Sequence, residues 1–217
     1  MNSTLPILVS GFEPFGGDEV NPSADIALAL HGAQILGAPI HSCILPCTFS
    51  NSIELLHHAI DSVHPQLVLC LGQSSGRIGL SLERVAINVI DARIADNAGA
   101  QPIDQPVMPN GPAAYFSTLP IKAMAAELRA CGVPVSISQS AGTFVCNHVF
   151  YGLMHRLATH FQTRGGFMHV PMLPQQTARH PGEACLPLDT MVAGVRVAIE
   201  RAMRTQLDLN ETGGEFA

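Results

Sequence analysis

The chain has 217 residues, of which 47% are hydrophobic and 13% are charged, and its formal net charge is −6. This composition suits a globular domain with a full hydrophobic core and excludes a disordered or coiled-coil protein. The acidic balance and the lack of any Lys/Arg run argue against nucleic-acid binding, and no apolar stretch reaches the roughly 18 residues of a membrane span.

The amino terminus and the cysteines both indicate a cytoplasmic protein. The segment "MNSTLPILVSGFEPFGG" lacks the basic region and the cleavage site of a signal peptide. The six cysteines are scattered through apolar segments, which favours reduced, buried thiols over a disulfide framework. His41, Cys43 and Cys47 in "HSCILPC" are conceivable metal ligands, but no CxxC pair or second ligand cluster accompanies them, so we expect no metal.

The first half of the chain alternates predicted strands and helices. Its first helix has proline in the first turn, and a continuous apolar run stopped by glycine is typical of a strand buried on both faces. In chain order we predict a strand at 5–12, a helix at 22–30, a strand at 38–45, a helix at 53–63, the strand "QLVLCLG" at 66–72 and an extended segment at 85–89.

The second half begins with a long loop from Ala95 to Thr118 that is rich in Pro, Asn and Gly. A loop of this length inside a domain is usually functional or an oligomer contact. After it we predict a helix at 120–131, the strand "VPVSIS" at 133–138, a helix at 143–161, the strand "GFMHVPML" at 166–173 and a helix at 189–207.

This alternation predicts one catalytic α/β domain over residues 1–208, a three-layer α/β/α sandwich with a largely parallel central sheet. The tail at 209–217 is expected to fray. In such sheets the active site lies outside the carboxyl ends of the strands.

Cys146 is the cysteine whose position favours chemistry. It follows a predicted strand, a Ser-Ala-Gly turn and the start of a helix, which predicts a place at the carboxyl edge of the sheet. An unperturbed thiol with a pKa of about 8.5 is little ionised at neutral pH, and the N–H groups and dipole of a helix start would stabilise its thiolate. A buried structural cysteine is the alternative.

A cysteine nucleophile needs a base, and His169 is the best placed of the ten histidines. It lies in the predicted strand that follows the Cys146 helix, close to the same sheet edge. His148 is only two positions from Cys146 and would point elsewhere on a helix. A satisfied core histidine is the alternative for His169.

A third group must orient the imidazole, and it is usually Asp, Glu or Asn. Three acidic residues beside apolar runs are candidates: Glu83 in "SLERVAIN", and Asp91 and Asp96 in "DARIADN". For Glu83, an ordinary surface ion pair with Arg84 is the alternative.

Two other motifs compete with this reading. "GQSSG" matches the G-x-S-x-G pattern that would make Ser74 the nucleophile of a serine hydrolase, but no helix is predicted directly after it, as that motif requires. "GFEPFGG" lacks the ending of a P-loop. Its aromatic residues Phe12 and Phe15 suit an apolar binding wall, with hydrophobic anchoring as the alternative.

Several segments together resemble the pyroglutamyl peptidase type I family of cysteine peptidases, also called pyrrolidone-carboxylate peptidases. The matching stretches run in order from Gly11 to Pro174 and cover most of the chain: "GFEPFGG…NPS", "LGQSSGR", "ERVAIN…DARIADNAGAQPID", "SAGTFVCNHVFYGLMH" and "FMHVPMLP". Each stretch is moderately specific, and the ordered set is highly specific.

The resemblance implies a Cys-His-Glu triad on an α/β/α fold that hydrolyses the bond after an N-terminal pyroglutamyl residue through a thioester, without metal or cofactor. By motif match, Cys146 is the nucleophile, His169 the base and Glu83 the acid, and Arg93 supports the oxyanion. The residues that match the lactam-binding positions are Phe12, Phe15, Asn21, Gln73 and Phe144.

The resemblance further implies that the partners are peptides with an N-terminal pyroglutamate and that the chain forms a homo-oligomer, a dimer or a tetramer. Two departures from the family pattern, the serines of "LGQSSGR" and Gln175, do not touch the triad. A serine-type α/β hydrolase using Ser74 and a non-catalytic ligand-binding α/β module are the alternative functions.

Overall fold

In the computed structural model, which describes residues 4–160 and 162–214, seven strands form a central sheet with helices on both faces. The strands are β1 (Ile7–Phe12), β2 (Gln34–Ile35), β3 (Ala38–Leu45), β4 (Leu67–Gln73), β5 (Leu80–Glu83), β6 (Val85–Ile87), β7 (Ala114–Phe116), β8 (Val135–Ser138) and β9 (Arg164–Val170). The helices are α1 (Pro22–Leu30), α2 (Ser52–Val63), α3 (Ile121–Ala130), α4 (Val145–Leu157) and α5 (Leu188–Arg204).

The sheet has the order β2-β3-β1-β4-β9-β5-β8, and β6 pairs with β7 outside it. The pairs β1–β3, β1–β4, β4–β9 and β5–β8 are parallel, whereas β2–β3 and β5–β9 are antiparallel. The predicted α/β fold with a largely parallel sheet is therefore confirmed, although β5 runs antiparallel to its neighbour β9, and β8 has the same direction as β5.

Each face of the sheet has its own apolar core, as alternating side chains of buried strands require. Helices α1, α3 and α5 cover one face, where Ile26, Leu128 and Val195 pack on the strands. Helices α2 and α4 cover the other, where Leu56 and Val149 pack on Phe167 of β9. These layers make the predicted three-layer sandwich, and none of the helices within the described ranges is long and apolar enough to cross a membrane.

Most predicted elements have nearly the predicted bounds, but two helices end early. Helix α4 stops at Leu157 because Thr159 and His160 turn back onto the carbonyls of Arg156 and Leu157. Phe161, which was predicted to extend that helix, lies outside the described residues. Helix α5 stops at Arg204, and the predicted 95–118 loop contains the strand β7.

The tail that we predicted to fray, residues 209–217, and Asp208 just before it make hydrogen bonds in the part of the chain that the structure describes. The Asp208 carboxylate accepts hydrogen bonds from the Lys122 and Ala123 N–H groups at the start of α3. The Gly213 carbonyl accepts from Arg84 and Gln139. These contacts join this end of the chain to α3 and to the residues that follow β5 and β8. Residues 215–217 lie outside the described range, and the fraying of the tail stays a prediction. The single catalytic domain stays a prediction.

Candidate active site

A cavity of about 540 Å³ opens where β4 and β9 end. Its wall combines apolar, hydroxyl and charged side chains from five loops and strand ends. The lining residues are Phe15, Gln73, Ser74, Ser75, Arg77, Asp91, Arg93, Ile94, Ser140, Ala141, Gly142, Thr143, Phe144, Cys146 and His169.

Cys146 lies in the first turn of α4, two residues after the N-cap residue Phe144. Phe144 has no side-chain group that caps the helix, and the first recorded bond of the helix runs from the His148 N–H to the Phe144 carbonyl. The N–H groups at 145–147 precede this bond and have no acceptor in the helix. They form a ready donor set beside the thiol.

The sequence predicted this position for a reason that the structure corrects. We expected Cys146 to lie at the carboxyl edge because it follows its own strand in a parallel sheet. In fact β8 runs antiparallel to β9's direction, and the loop at 139–144 carries the chain across to the carboxyl ends of β4 and β9. Cys146 therefore lies at the predicted edge of the sheet, but the chain reaches that edge by a different path.

The sulfur of Cys146 packs over strand β4 at Gly72. A Cβ atom built on Gly72 would lie 2.9 Å from Cys146 Sγ and 2.7 Å from Phe167 Cζ, so only glycine leaves room there. Gly72 pairs in register with His169 of β9, and residues opposite each other share a face of the sheet. The thiol and the imidazole therefore face the same side of adjacent strands and line the same cavity.

His169 forms a buried pair with Glu83. The distance from His169 Nδ1 to Glu83 Oε1 is 2.7 Å, and the side chains are 5% and 0% exposed. The antiparallel register places Glu83 opposite Phe167, one diagonal step from His169. An ionised carboxylate only accepts hydrogen bonds, so Nδ1 carries the proton and Nε2 is left as the basic nitrogen.

The competing assignments for the acidic group do not contact His169. Arg84 donates to Gln139 and to the Gly213 carbonyl rather than pairing with Glu83 at the surface. The Asp96 carboxylate accepts hydrogen bonds from the N–H groups of Phe49, Ala98 and Ala100. Asp91 is exposed at the cavity.

Burial raises the pKa of the Cys146 thiol above its ordinary value, and the nearby Cys47, Glu83 and Cys70 add to the effect in that order. This direction is opposite to the thiolate stabilisation expected from a helix start. The cost of placing a charge in this apolar setting outweighs the helix dipole. Cys146 is therefore a thiol at rest, and it would have to lose its proton in order to react as a nucleophile.

Among the predicted pocket residues, Phe15, Gln73 and Phe144 line the cavity. The Phe15 and Phe144 ring centroids are 6.4 Å apart, and the Phe49 ring, 5.4 Å from Phe144, backs this wall. The Gln73 side-chain carbonyl accepts a hydrogen bond from the Gln176 amide at 3.0 Å.

Phe12 and Asn21, which the resemblance places among the substrate-binding residues, do not line this cavity. Phe12 is 2% exposed, because its position in β1 turns the ring into the core beside Phe167. Asn21 caps α1: its carbonyl accepts from the Ser23 N–H and hydroxyl, and its amide donates to the Glu13 carbonyl.

Arg93 lines the cavity and is exposed there. The segment before it is tied to the start of α4. The Asn147 amide bonds to the backbone of Ile87 and Val89, and Thr143 exchanges two hydrogen bonds with the backbone of Asp91. The arginine is thus carried on backbone fixed to the helix that holds the thiol.

Arg77 is a cavity residue to which the sequence analysis gave no role. It lies in the loop after β4, and its Nη2 reaches both Glu83 and the Ser138 hydroxyl. Arg77 is part of the segment "LGQSSGR", which was a visible signal. No pattern in the sequence, however, indicates that it contacts a glutamate six positions later across a turn.

Two other predictions concern the site. Ser74 lines the cavity, but the chain after it forms a turn and then β5, not the helix that a serine nucleophile motif requires. Within residues 4–160 and 162–214, no three His, Cys, Asp or Glu side chains are grouped as metal ligands would be.

Comparisons with known proteins agree on one family. Residues 5–205 match the family model described as pyroglutamyl peptidase. The chain is 55% identical to a pyrrolidone-carboxylate peptidase of Cupriavidus taiwanensis, with 97% of this chain and 98% of that protein covered. It is 56% identical to pyrrolidone-carboxylate peptidase 1 of Ralstonia nicotianae, with the same shares covered.

Solved structures give the same result. The pyroglutamyl peptidase I of Bacillus amyloliquefaciens superposes with a TM-score of 0.93 at 41% identity, covering 96% of this chain and 99% of that one. A mutant pyrrolidone carboxyl peptidase from Pyrococcus furiosus gives a TM-score of 0.90 at 39% identity, covering 92% and 99%.

Proposed function

The chain belongs to the pyroglutamyl peptidase family and is a peptidase of that family, and we propose that Cys146, His169 and Glu83 are its catalytic triad. In this proposal the enzyme hydrolyses the bond after an N-terminal pyroglutamyl residue of a peptide through a thioester. The observation that carries the assignment is the buried 2.7 Å pair between His169 Nδ1 and Glu83 Oε1, on the face of the sheet where Cys146 lies.

The reaction begins with a proton transfer coupled to attack. Because burial raises the pKa of Cys146, the thiol gives its proton to His169 Nε2 as the sulfur bonds to the pyroglutamyl carbonyl carbon. Glu83 stabilises the imidazolium that forms and holds its tautomer. The imidazolium then protonates the leaving amine, and a thioester remains on Cys146.

Hydrolysis of the thioester repeats these steps with water. His169 removes a proton from the water, which attacks the thioester carbonyl, and the proton passes to the departing sulfur. The free N–H groups at the start of α4 and the guanidinium of Arg93 are the donors for the tetrahedral oxyanion in both halves of the reaction. Removal of one such donor typically costs about 3–4 kcal/mol of transition-state stabilisation.

The pocket suits a flat lactam with one N–H and one C=O. The rings of Phe15 and Phe144 supply an apolar wall. The Ser74 N–H donates to the Val170 carbonyl, and successive residues of a strand direct their polar groups to opposite sides. The N–H and C=O of Gln73 thus point toward β1, whose pairing with β4 ends at Cys70, and we assign them to the lactam.

The test of this proposal is the release of a reporter amine from a pyroglutamyl amide, with and without iodoacetamide. We expect turnover that alkylation abolishes. Cys146→Ser should be folded and inactive, because a hydroxyl is a far poorer nucleophile at neutral pH. Cys185→Ser is the matched control, since both cysteines are half-buried, and it should retain activity. An active Cys146→Ser enzyme would refute the assignment.

Two predictions from the sequence, a cytoplasmic location and a homo-oligomer, stay predictions. The loop at 95–118 is the segment that we propose for a subunit contact, because Ile103 is 65% exposed and Phe116 is 69% exposed. Sedimentation of the intact chain measures the oligomeric state directly.

A further inference from the structure

We infer that Arg77 is a positioning residue of this active site: it places a positive charge beside the Glu83 carboxylate and ties that carboxylate to the loop that leads to Cys146. The inference rests on the triad proposed above. It extends that triad to a fourth side chain, which comes from the loop between β4 and β5.

The contacts of one guanidinium nitrogen carry the argument. Arg77 Nη2 lies 3.4 Å from Glu83 Oε1, 3.0 Å from Ser138 Oγ and 3.3 Å from the Ser140 carbonyl. Glu83 and Ser138 are paired in register on β5 and β8. Arg77 therefore reaches the ends of both strands and the first residues of the 139–144 loop at once.

The surroundings of Glu83 explain why a cation is needed. Its side chain is fully buried, and Oε2 has no hydrogen-bond partner among the described residues. A buried carboxylate without compensating charge tends to bind a proton and become neutral. A neutral Glu83 could no longer stabilise an imidazolium on His169.

The charged and titratable groups that face Glu83 come from three elements. His169 lies on β9, Cys146 on α4 and Arg77 in the loop after β4. β8 contributes the neutral Ser138. Of the groups facing Glu83, Arg77 alone carries a permanent positive charge, and it is 28% exposed, so solvent weakens its effect without removing it.

The sign of the pH effect follows from this arrangement. A neighbouring cation favours the charged form of a carboxylate, so removing the arginine charge weakens the form of the site that supports an imidazolium. The acid limb of kcat/KM should therefore move to higher pH in Arg77→Gln and Arg77→Met. Arg77→Lys keeps the charge and should keep the acid limb of the wild type.

The experiment is the pH profile of kcat/KM on a pyroglutamyl amide for the wild type and the three Arg77 variants. Gln keeps a hydrogen-bond donor for Ser138 and Ser140, so the Gln and Lys variants separate charge from hydrogen bonding even if the Met variant fails to fold. Arg84→Met is the matched control. It removes the arginine next to Glu83 in sequence, which bonds to Gln139 and Gly213 instead.

The outcomes separate this inference from the proposed function. The role of Arg77 is supported if the acid limb of kcat/KM moves to higher pH in Arg77→Gln but not in Arg77→Lys or Arg84→Met. A Gln variant that loses activity equally at all pH values, or loses none, overturns it. If the wild type shows no alkylation-sensitive turnover, it is the proposed triad that fails.

Discussion

Gly72→Ala is expected to lower activity by displacing the sulfur of Cys146, the proposed nucleophile. The new Cβ would lie 2.9 Å from Cys146 Sγ and 2.7 Å from Phe167 Cζ, whereas unstrained contacts between heavy atoms need about 3.5–4.0 Å. The Cys146 sulfur and the Phe167 ring must therefore move away from the new methyl group by roughly 0.6 Å or more. Since a misplacement of about 1 Å can cost a factor of about 10², we expect kcat/KM to fall about 10- to 100-fold.

That loss corresponds to about 1.4–2.7 kcal/mol of transition-state stabilisation. Overpacking should also lower the free energy of unfolding by about 1–3 kcal/mol. Gly165→Ala is the matched control. It lies on β9, and its Cβ would meet Leu157 Cδ1 at 2.6 Å and Leu153 Cδ2 at 3.2 Å, far from the cavity.

The assay is kcat/KM on a pyroglutamyl amide, together with urea unfolding of both variants. We expect similar losses of stability in the two variants and a loss of activity in Gly72→Ala alone. Wild-type activity in a folded Gly72→Ala enzyme, or an equal loss in Gly165→Ala, would show that the sulfur is not held as described.

Two further predictions concern pH and specificity. Burial lowers the pKa of His148 to about 4, so below about pH 6.5 the unfolded chain takes up a proton that the folded chain does not. The stability that this group contributes is therefore present above that pH, and the free energy of unfolding should fall by about 2 kcal/mol between pH 7 and pH 5. Urea unfolding should show that this loss is smaller in His148→Gln and unchanged in His58→Gln, which replaces an exposed histidine as a control. If the free energy of unfolding changes equally with pH in the two variants, the prediction is wrong. For specificity, we expect pyroglutamyl amides to be cleaved and prolyl amides to be disfavoured by about 10⁴ or more, because a prolyl amine buries an unpaired charge and lacks the lactam C=O. Comparable kcat/KM values for the two reporters would mean that the pocket does not read the lactam.

The sequence predicted those parts of the site that depend on local pattern. The helix start at Cys146 follows from a glycine turn and an apolar periodicity, and the strand of His169 follows from a short apolar run. Both signals lie within about ten residues of the side chain concerned. The residues alone did not distinguish Glu83 from Asp91 and Asp96 as the acidic group, and the family resemblance made that choice.

What the sequence did not predict depends on pairing between distant segments. Strand direction is not written in a short apolar run, so the antiparallel insertion of β5 next to β9, which brings Glu83 to His169, was missed. The same limit applies to Phe12 and Asn21. A one-residue step in a strand, or a helix cap, decides whether a side chain faces a cavity or the core behind it.

The position of β9 has a consequence for biosynthesis. It is the last strand in the chain but lies in the middle of the sheet, between β4 and β5. Until residues 164–170 have been made and inserted, β4 and β5 have no common neighbour, and His169 cannot stand between Gly72 and Glu83. Such long-range pairing is slow compared with local structure, and it leaves strand edges exposed meanwhile. A nascent chain therefore holds Cys146 and Glu83 apart, and the proposed triad can form only when the sheet is closed.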